Sequence, residues 1–379
     1  MEQNKKVVVF CNDRYPSIGL IRCLGEAGYR PECYCYGEDG NHLLSSRYVK
    51  KGKRFATVND ALHFLLYDYP KCEDKPILFT IPDPPAYYVD LHLDVFKEKF
   101  ILMSAGAQGK IGYWMNKKNI SDLAKKHGFV IPWMLELSKC DEIPDTLEYP
   151  VFTKSIRTVN GGKCDESVCW NKKELETRVS TIASERFLLM QYVRKKQEIN
   201  YFGMSIKGKV YIDFHDERNR FSDSGLGHYC IFRKCIRDDI YNKCVAMITE
   251  TGYEGLFDIE FLLGVDDVLY FMEVNFRVDG EIYKLRKGVD LPAEWCRLVC
   301  RNRDELPDNL PIKKDYFTGM TEMNDFRQSV LTGKMNPIKW FWEFCNTDSH
   351  MLINLKDPAP ALVKLWLVIR RNIIYKVVS

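Results

Sequence analysis

The sequence predicts a mixed α/β and α+β chain, and three stretches carry that prediction. Over the first hundred residues, apolar runs alternate with amphipathic segments, the pattern of an open parallel sheet. Between Gly255 and Gly280, two runs rich in Ile, Phe, Leu, Val and Tyr flank the turn-forming pair Asp266-Asp267, the pattern of an antiparallel hairpin. After Cys300 a Pro- and Asp-rich connector leads to an aromatic segment and a charged apolar tail, which reads as an appended helical extension. A length of 379 residues leaves room for two or three domains. The net charge of +3 implies no general polyanion-binding surface, so no nucleic-acid partner is expected.

No secretory signal follows the first Met-Glu-Gln-Asn-Lys-Lys, and a cytoplasmic location is expected. The cysteines are scattered without Cys-x-x-Cys spacing, which favours reduced core thiols, and Cys296 and Cys300 are expected on one helix face. The histidines also lack zinc-site spacing.

In chain order, Val7 to Phe10 reads as a strand and Ser17 to Ala27 as a helix closed by Gly28. The turn between them carries only Gly19 and is no dinucleotide fingerprint, so no NAD site is expected. Glu32 to Tyr36 and Pro76 to Ile81 read as further strands, with a helix from Asn59 to Tyr67 between them. A helix from Asn119 to His127 is entered through Asn116-Lys117-Lys118, where a lysine either meets a phosphate or is simply solvated. Tyr149 to Lys154 is a strand ending in a lysine, followed by a loop containing Gly161-Gly162. A fixed charge beside closely approachable backbone N–H groups suits a phosphate, although Asn160-Gly161-Gly162 also suits a plain turn. Phe187 to Val193 and Glu198 to Ser205 form a strand pair able to act as a hinge. Its backbone could meet a flat base and Glu198 ribose hydroxyls, or the pair is an ordinary sheet connection. The Ser/Gly-rich stretch from Phe221 to Gly227 has the composition of a lid. Arg218 and Arg220 beside it either bind a carboxylate or have no specific role.

The hairpin makes a register prediction. A two-residue loop at Asp266-Asp267 pairs Ile259 with Val274, Phe261 with Met272 and Leu263 with Tyr270, giving one apolar face. On the other face Glu260 opposes Glu273 and Asp258 opposes Asn275. Facing carboxylates repel unless a cation lies between them, and an all-oxygen donor set suits a hard ion such as magnesium. A face turned to water is the other reading.

In this order, Lys117, Lys154, the Gly161-Gly162 loop and Glu273-Val274-Asn275-Phe276-Arg277 resemble the ATP-grasp enzymes. Within that superfamily the resemblance is to carboxylate-amine ligases similar to carbamoyl-phosphate synthase and D-aspartate ligase. Phe276 stands where that pattern has proline, and Lys163 where a further glycine is common. The resemblance implies an ATP-grasp fold with four parts. Residues 1–112 would be a parallel-sheet pre-ATP-grasp domain, 113–185 a small subdomain, 186–304 a large subdomain with the metal site, and 305–379 a C-terminal helical extension. It implies ATP with magnesium, or manganese in its place, as cofactors. Lys117, Lys154, Gly161 and Gly162 would hold phosphates, Gln191, Tyr192 and Val193 the base, and Glu198 the ribose. Glu260, Glu273 and Asn275 would bind metal, and Arg277 with Lys154 would assist transfer. The implied reaction activates a carboxylate as an acyl phosphate and passes it to an amine, such as an amino acid, in cell-envelope or secondary metabolism. Stopping at an acyl or carbamoyl phosphate, or binding nucleotide without turnover, are the alternatives.

The tail from Ala361 to Val378 is too charged to span a bilayer. As a helix it gathers Leu362, Leu365, Trp366, Ile369 and Ile373 on one face, with Lys364 and Arg371 opposite. That face is expected to cover its own domain, a homodimer partner or the inner membrane surface.

Overall fold

A computed structural model describes residues 5–156, 162–221 and 227–378. The expected alternation opens the chain. β1 (Val7–Asn12), β2 (Glu32–Tyr36), β3 (Lys51–Phe55), β4 (Ile77–Ile81) and β5 (Ile101–Leu102) form a parallel sheet in the order β3-β2-β1-β4-β5. Successive side chains of a strand point to opposite faces, so β1 feeds two cores. Val7 and Val9 pack with Ile18, Ile21 and Leu24 of the helix Tyr15–Glu26, while Val8 and Phe10 pack with Leu62, Leu65 and Leu66. Each buried aliphatic side chain contributes about 1.5–3 kcal/mol relative to exposure.

A small antiparallel sheet follows, made of β6 (Met134–Ser138), β7 (Val151–Ser155), β8 (Ser167–Cys169) and β9 (Arg186–Gln191) in the order β6-β9-β7-β8. Its core includes Leu137, Val151, Leu175, Phe187 and Leu189. The third sheet holds β10 (Lys195–Ile206), β11 (Lys209–Phe221), β12 (Gly227–Lys234), β13 (Gly255–Gly264), β14 (Leu269–Asn275), β15 (Tyr316–Met320) and β16 (Ser349–His350), in the order β14-β13-β10-β11-β12-β15-β16. The strand pair read as a hinge is therefore split: β9 lies in the small sheet and β10 in the long one, joined by Tyr192, Val193 and Arg194. The stretch read as a lid lies outside the described residues apart from its ends in β11 and β12.

The hairpin β13–β14 exists, with one correction to its register. Asp258 opposes Asn275, Ile259 opposes Val274 and Glu260 opposes Glu273, but Phe261 meets Phe271 and Leu263 meets Leu269. The loop is longer than two residues, and a bulge between Glu260 and Phe261 absorbs the extra residue, Met272. Phe271 rather than Met272 thus joins the core, edge-on to Phe261 at 5.8 Å.

The helix Tyr15–Glu26 joins the parallel sheet to the short helix Ile282–Leu285, which follows β14 in the chain. Gly19 permits the close approach, since an added Cβ would come within 2.9 Å of the Tyr283 Cβ. Arg22 on this helix is fully buried against Asp357 of the C-terminal extension. Cys300 is exposed beyond the end of the helix Leu291–Leu298 while Cys296 is buried in it, so the two do not share a helix face as expected.

Candidate functional site

The floor of the site is the polar face of β13 and β14. Asn275 donates through Nδ2 to Asp258 Oδ2 at 3.0 Å and to Glu260 Oε1 at 2.8 Å. Asn275 Oδ1 accepts no hydrogen bond among the described residues. Asp258, for which the sequence offered no role, thereby positions both Asn275 and Arg277. Burial and then the nearby Asp279 raise the Asp258 carboxyl well above its ordinary range, and burial and then Glu273 raise Glu260.

Repulsion between Glu260 and Glu273 is relieved from above by two lysines. Lys154, at the end of β7, places Nζ 2.9 Å from Glu273 Oε2, and Lys117 places Nζ 3.4 Å from the same oxygen. Lys117 is the first residue of the helix Lys117–Lys126, which Asn116 caps by accepting from the Lys118 N–H. A cation at a helix N-terminus opposes the macrodipole, so this placement is unfavourable for the helix alone. Burial lowers Lys117, with Glu273 opposing that shift. Burial works against the Glu273 charge too, but Lys117 and Lys154 outweigh it and hold the carboxyl below the usual range. Lys154 goes the other way, raised by Glu273, Glu166 and Glu260 against the effect of its burial.

Arg277, just past β14, is held at three carboxylates: Asp83 at 2.8 Å, Asp258 at 3.0 Å and Asp279 at 3.3 Å. Sequence reasoning missed Asp83 and Asp279. Asp83 stands at the carboxyl end of β4, in Ile81-Pro82-Asp83, and the carboxyl ends of parallel strands are where such sheets bind ligands. That was the available signal. Asp279 follows Arg277 by two residues and had none beyond proximity.

The remaining predicted residues within the described chain lie on β9, β10 and β11, between β9 and β10, and between β7 and β8. Gln191 closes β9, and its N–H donates to the Trp133 carbonyl at 2.9 Å. Tyr192 and Val193 follow it between the two sheets, outside both ladders. Glu198 on β10 pairs with Lys195 at 2.6 Å and Arg218 at 3.2 Å. Gly162 begins a short 3-10 turn, Gly162–Asp165, while Gly161 lies outside the described residues. Arg220 is corrected: Asp325 accepts from its Nε and Nη2, each at 2.8 Å, and Glu343 from its Nη1 at 2.6 Å, so this arginine fastens the C-terminal extension instead of offering a free fork to a substrate.

Two acidic groupings could attract a metal ion. On the floor, Glu260, Glu273 and Asn275 offer oxygen only, in the cross-strand arrangement that suits a hard divalent cation. Beside it, Asp216, Cys230 and Glu281 bring ligand atoms within 4.8 Å of one another. There, Lys284 is already paired with Glu281, and Arg218 Nε lies 3.8 Å from Asp216. Cations thus face both groupings, and the floor differs in offering no sulfur ligand, which suits a hard ion such as magnesium better. With Lys117, Lys154 and Arg277 bordering it, the floor can accept a polyanion together with a cation.

No protein-family profile and no curated protein sequence matches the chain. Solved structures do match. The chain is similar to an L-amino acid ligase from Bacillus licheniformis, with 13% identity, a TM-score of 0.60, and coverage of 79% of this chain and 75% of that one. An N5-carboxyaminoimidazole synthetase from Staphylococcus aureus aligns at 14% identity with a TM-score of 0.63, covering 89% and 88%. A carboxyaminoimidazole ribonucleotide synthase from Aspergillus clavatus, complexed with ATP, aligns at 14% identity and a TM-score of 0.61, covering 84% and 82%. By these likenesses the chain has the ATP-grasp fold.

Proposed function

We propose that this chain is an ATP- and magnesium-dependent carboxylate-amine ligase that forms an amide through an acyl phosphate. The observation that carries the reading is the convergence of Lys117 and Lys154 on one oxygen of Glu273, directly opposite Glu260. Two lysines gathered on one carboxylate oxygen form a pair of N–H donor groups that phosphate oxygens could engage in its place.

In this reading Lys117 and Lys154 leave Glu273 for the nucleotide phosphates, freeing Glu273 to join Glu260 and Asn275 as metal ligands. Magnesium, or manganese in its place, would supply charge neutralisation to the phosphate oxygens. Arg277, anchored by Asp83, Asp258 and Asp279, faces the charge that develops as the terminal phosphoryl group passes to the carboxylate and ADP departs. The amine then attacks the acyl phosphate carbon, phosphate leaves and one proton is lost, with no side-chain nucleophile required. Gln191, Tyr192, Val193 and Glu198 form the nucleotide edge, Gly161 and Gly162 belong to the phosphate loop, and the four-part division at 1–112, 113–185, 186–304 and 305–379 is retained. The likeness to an L-amino acid ligase favours an amino acid as the amine.

The test measures ADP release with ATP and magnesium over D- and L-amino acids crossed with carboxylates, followed by product masses. Amine-dependent ADP release with one amide per ADP is the expected outcome. An acyl phosphate as final product would overturn the amide step. A chain whose unfolding temperature ATP and magnesium leave unchanged would overturn the whole reading.

A further inference from the structure

Helix Pro337–Asn346 in the C-terminal extension has two contrasting faces. Its inner face is fixed: Trp340 donates to Asp325 at 2.7 Å and stacks on Phe344 at 5.3 Å, Glu343 accepts from Arg220, and Phe344 meets His350 at 4.4 Å. Its outer face carries Ile338, Phe341, Trp342 and Cys345, spaced i, i+3, i+4 and i+7 on one side of a helix. Ile338 is 80% exposed, Phe341 62% and Trp342 66%. Such a face is unfavourable in water, and the helix is held too firmly by its inner anchors to turn it inward. A second exposed apolar set lies nearby in sequence. The C-terminal helix, Ala359–Val378, turns Lys364 towards the protein, pairing it with Asp39 at 3.0 Å, and leaves Leu362, Leu365 and Trp366 more than half exposed. Of the three expected occupants of that apolar face, its own domain does not cover Leu362, Leu365 and Trp366; Ile369, Arg371 and Ile373 lie among the side chains not described.

Charge distinguishes between occupants of this surface. From Leu331 onward the acids are Glu343, Asp348 and Asp357, and each is held by a base of the same chain: Arg220, Lys314 and Arg22 respectively. Lys334, Lys339 and Lys356 are exposed and make no ion pair among the described residues, and the exposed Arg370 lies over the Trp366 ring at 5.3 Å. A symmetric contact between two copies would bring these bases against their own counterparts, whereas an anionic surface would complement them. Aromatic and aliphatic side chains bordered by lysines suit the boundary between lipid headgroups and acyl chains. Among the described residues no helix is long and apolar enough to cross a membrane, so contact would be along the surface.

We propose that the outer face of helix Pro337–Asn346 docks on an anionic phospholipid bilayer. The inference does not rest on the ligase reading, because lipid binding is measured without turnover. The full chain is floated with vesicles of phosphatidylglycerol and phosphatidylcholine, and separately with phosphatidylcholine alone. Expected are co-flotation with the anionic vesicles, a blue shift of tryptophan emission, and weakening by salt. The pair Phe341→Ser and Trp342→Ser lowers binding at least about tenfold, and Lys334→Gln with Lys339→Gln by about fivefold per residue. Neither pair changes the unfolding midpoint, because these side chains stand outside the packed core. Failure to float, equal flotation with both vesicles, or undiminished binding by the Phe341→Ser and Trp342→Ser chain overturns the proposal. So does a lipid-free dimer that those two substitutions dissociate.

Discussion

Arg22 with Asp357 and Glu273 with its two lysines are both buried charge sites, yet only the first is saturated. Arg22 donates to Asp357 Oδ2 at 3.0 Å and to the carbonyls of Met351, Leu352 and Asp357 at 2.9 Å. Asp357 also accepts from the Ser46 hydroxyl and the Arg47 N–H, each at 2.9 Å. Both side chains are fully buried, and their hydrogen bonds come largely from fixed backbone. Around Glu273, by contrast, two long side-chain cations share one carboxylate oxygen, and Glu166 and Glu260 also act on Lys154. A buried pair whose capacity is filled by backbone joins parts of a fold. A carboxylate held by long side-chain cations instead of backbone is better placed to exchange partners.

The largest expected effect lies at the saturated site. Asp357→Ala leaves Arg22 buried without its carboxylate and is expected to cost about 3–5 kcal/mol of unfolding free energy. Urea unfolding measures the loss. Because Arg22 lies between the parallel sheet and the C-terminal extension, the stabilisation of the folded variant by ATP and magnesium should persist. Abolition of the ATP effect with little loss of stability would mean that the two sites have been assigned the wrong way round.

Glu273→Ala comes next. It removes a proposed metal ligand and leaves Lys117 and Lys154 with like charges and no shared partner. ADP-forming activity is expected to fall about 10²–10³-fold, equivalent to about 3–4 kcal/mol of transition-state stabilisation. Steady-state ADP release, normalised to folded protein, provides the check. Unchanged activity would reduce Glu273 to a structural partner of the lysines and erase the contrast with Asp357.

The sequence revealed these two sites unequally. The pairs Asp258 with Asn275 and Glu260 with Glu273 were legible because strand pairing is local and the side-chain period is two. They came out correctly for a partly accidental reason. The loop is longer than the two residues assumed, shifting Leu263 onto Leu269, and the bulge at Met272 restores the assumed count just where the carboxylates begin. The lysines were legible through their places at a helix entrance and a strand end. Asp83 was not, since it reaches Arg277 across 194 residues and no local pattern encodes that distance. Arg218 and Arg220 looked equivalent in sequence, and only the fold brings Asp325 to one and Asp216 to the other. Periodicity likewise grouped Leu362, Leu365 and Trp366 correctly on one side of the final helix. Lys364 on the other side meets Asp39, 325 residues earlier.

Asp216 sharpens the comparison because one of its oxygens is hydrogen-bonded and the other is not. It accepts from the Asn200 N–H at 3.0 Å through Oδ1, while Oδ2 is buried without a hydrogen bond and Arg218 Nε lies 3.8 Å away. Burial pushes its carboxyl up to about 7, with Arg218 opposing that shift and Glu281 and Asp279 adding to it. The unfolded chain releases this proton near 3.9, whereas the folded chain keeps it to about 7. Between those values the folded state binds more protons, so this group makes stability fall as pH rises, by up to about 1.4 kcal/mol per pH unit. Asp216→Asn fixes a neutral side chain of the same shape in both states. Its unfolding free energy should match the parent near pH 4 and decline less steeply between pH 5 and 7, as urea titrations at successive pH values would show. A parallel pair of pH profiles would mean that Arg218 neutralises Asp216 as completely as Arg22 neutralises Asp357.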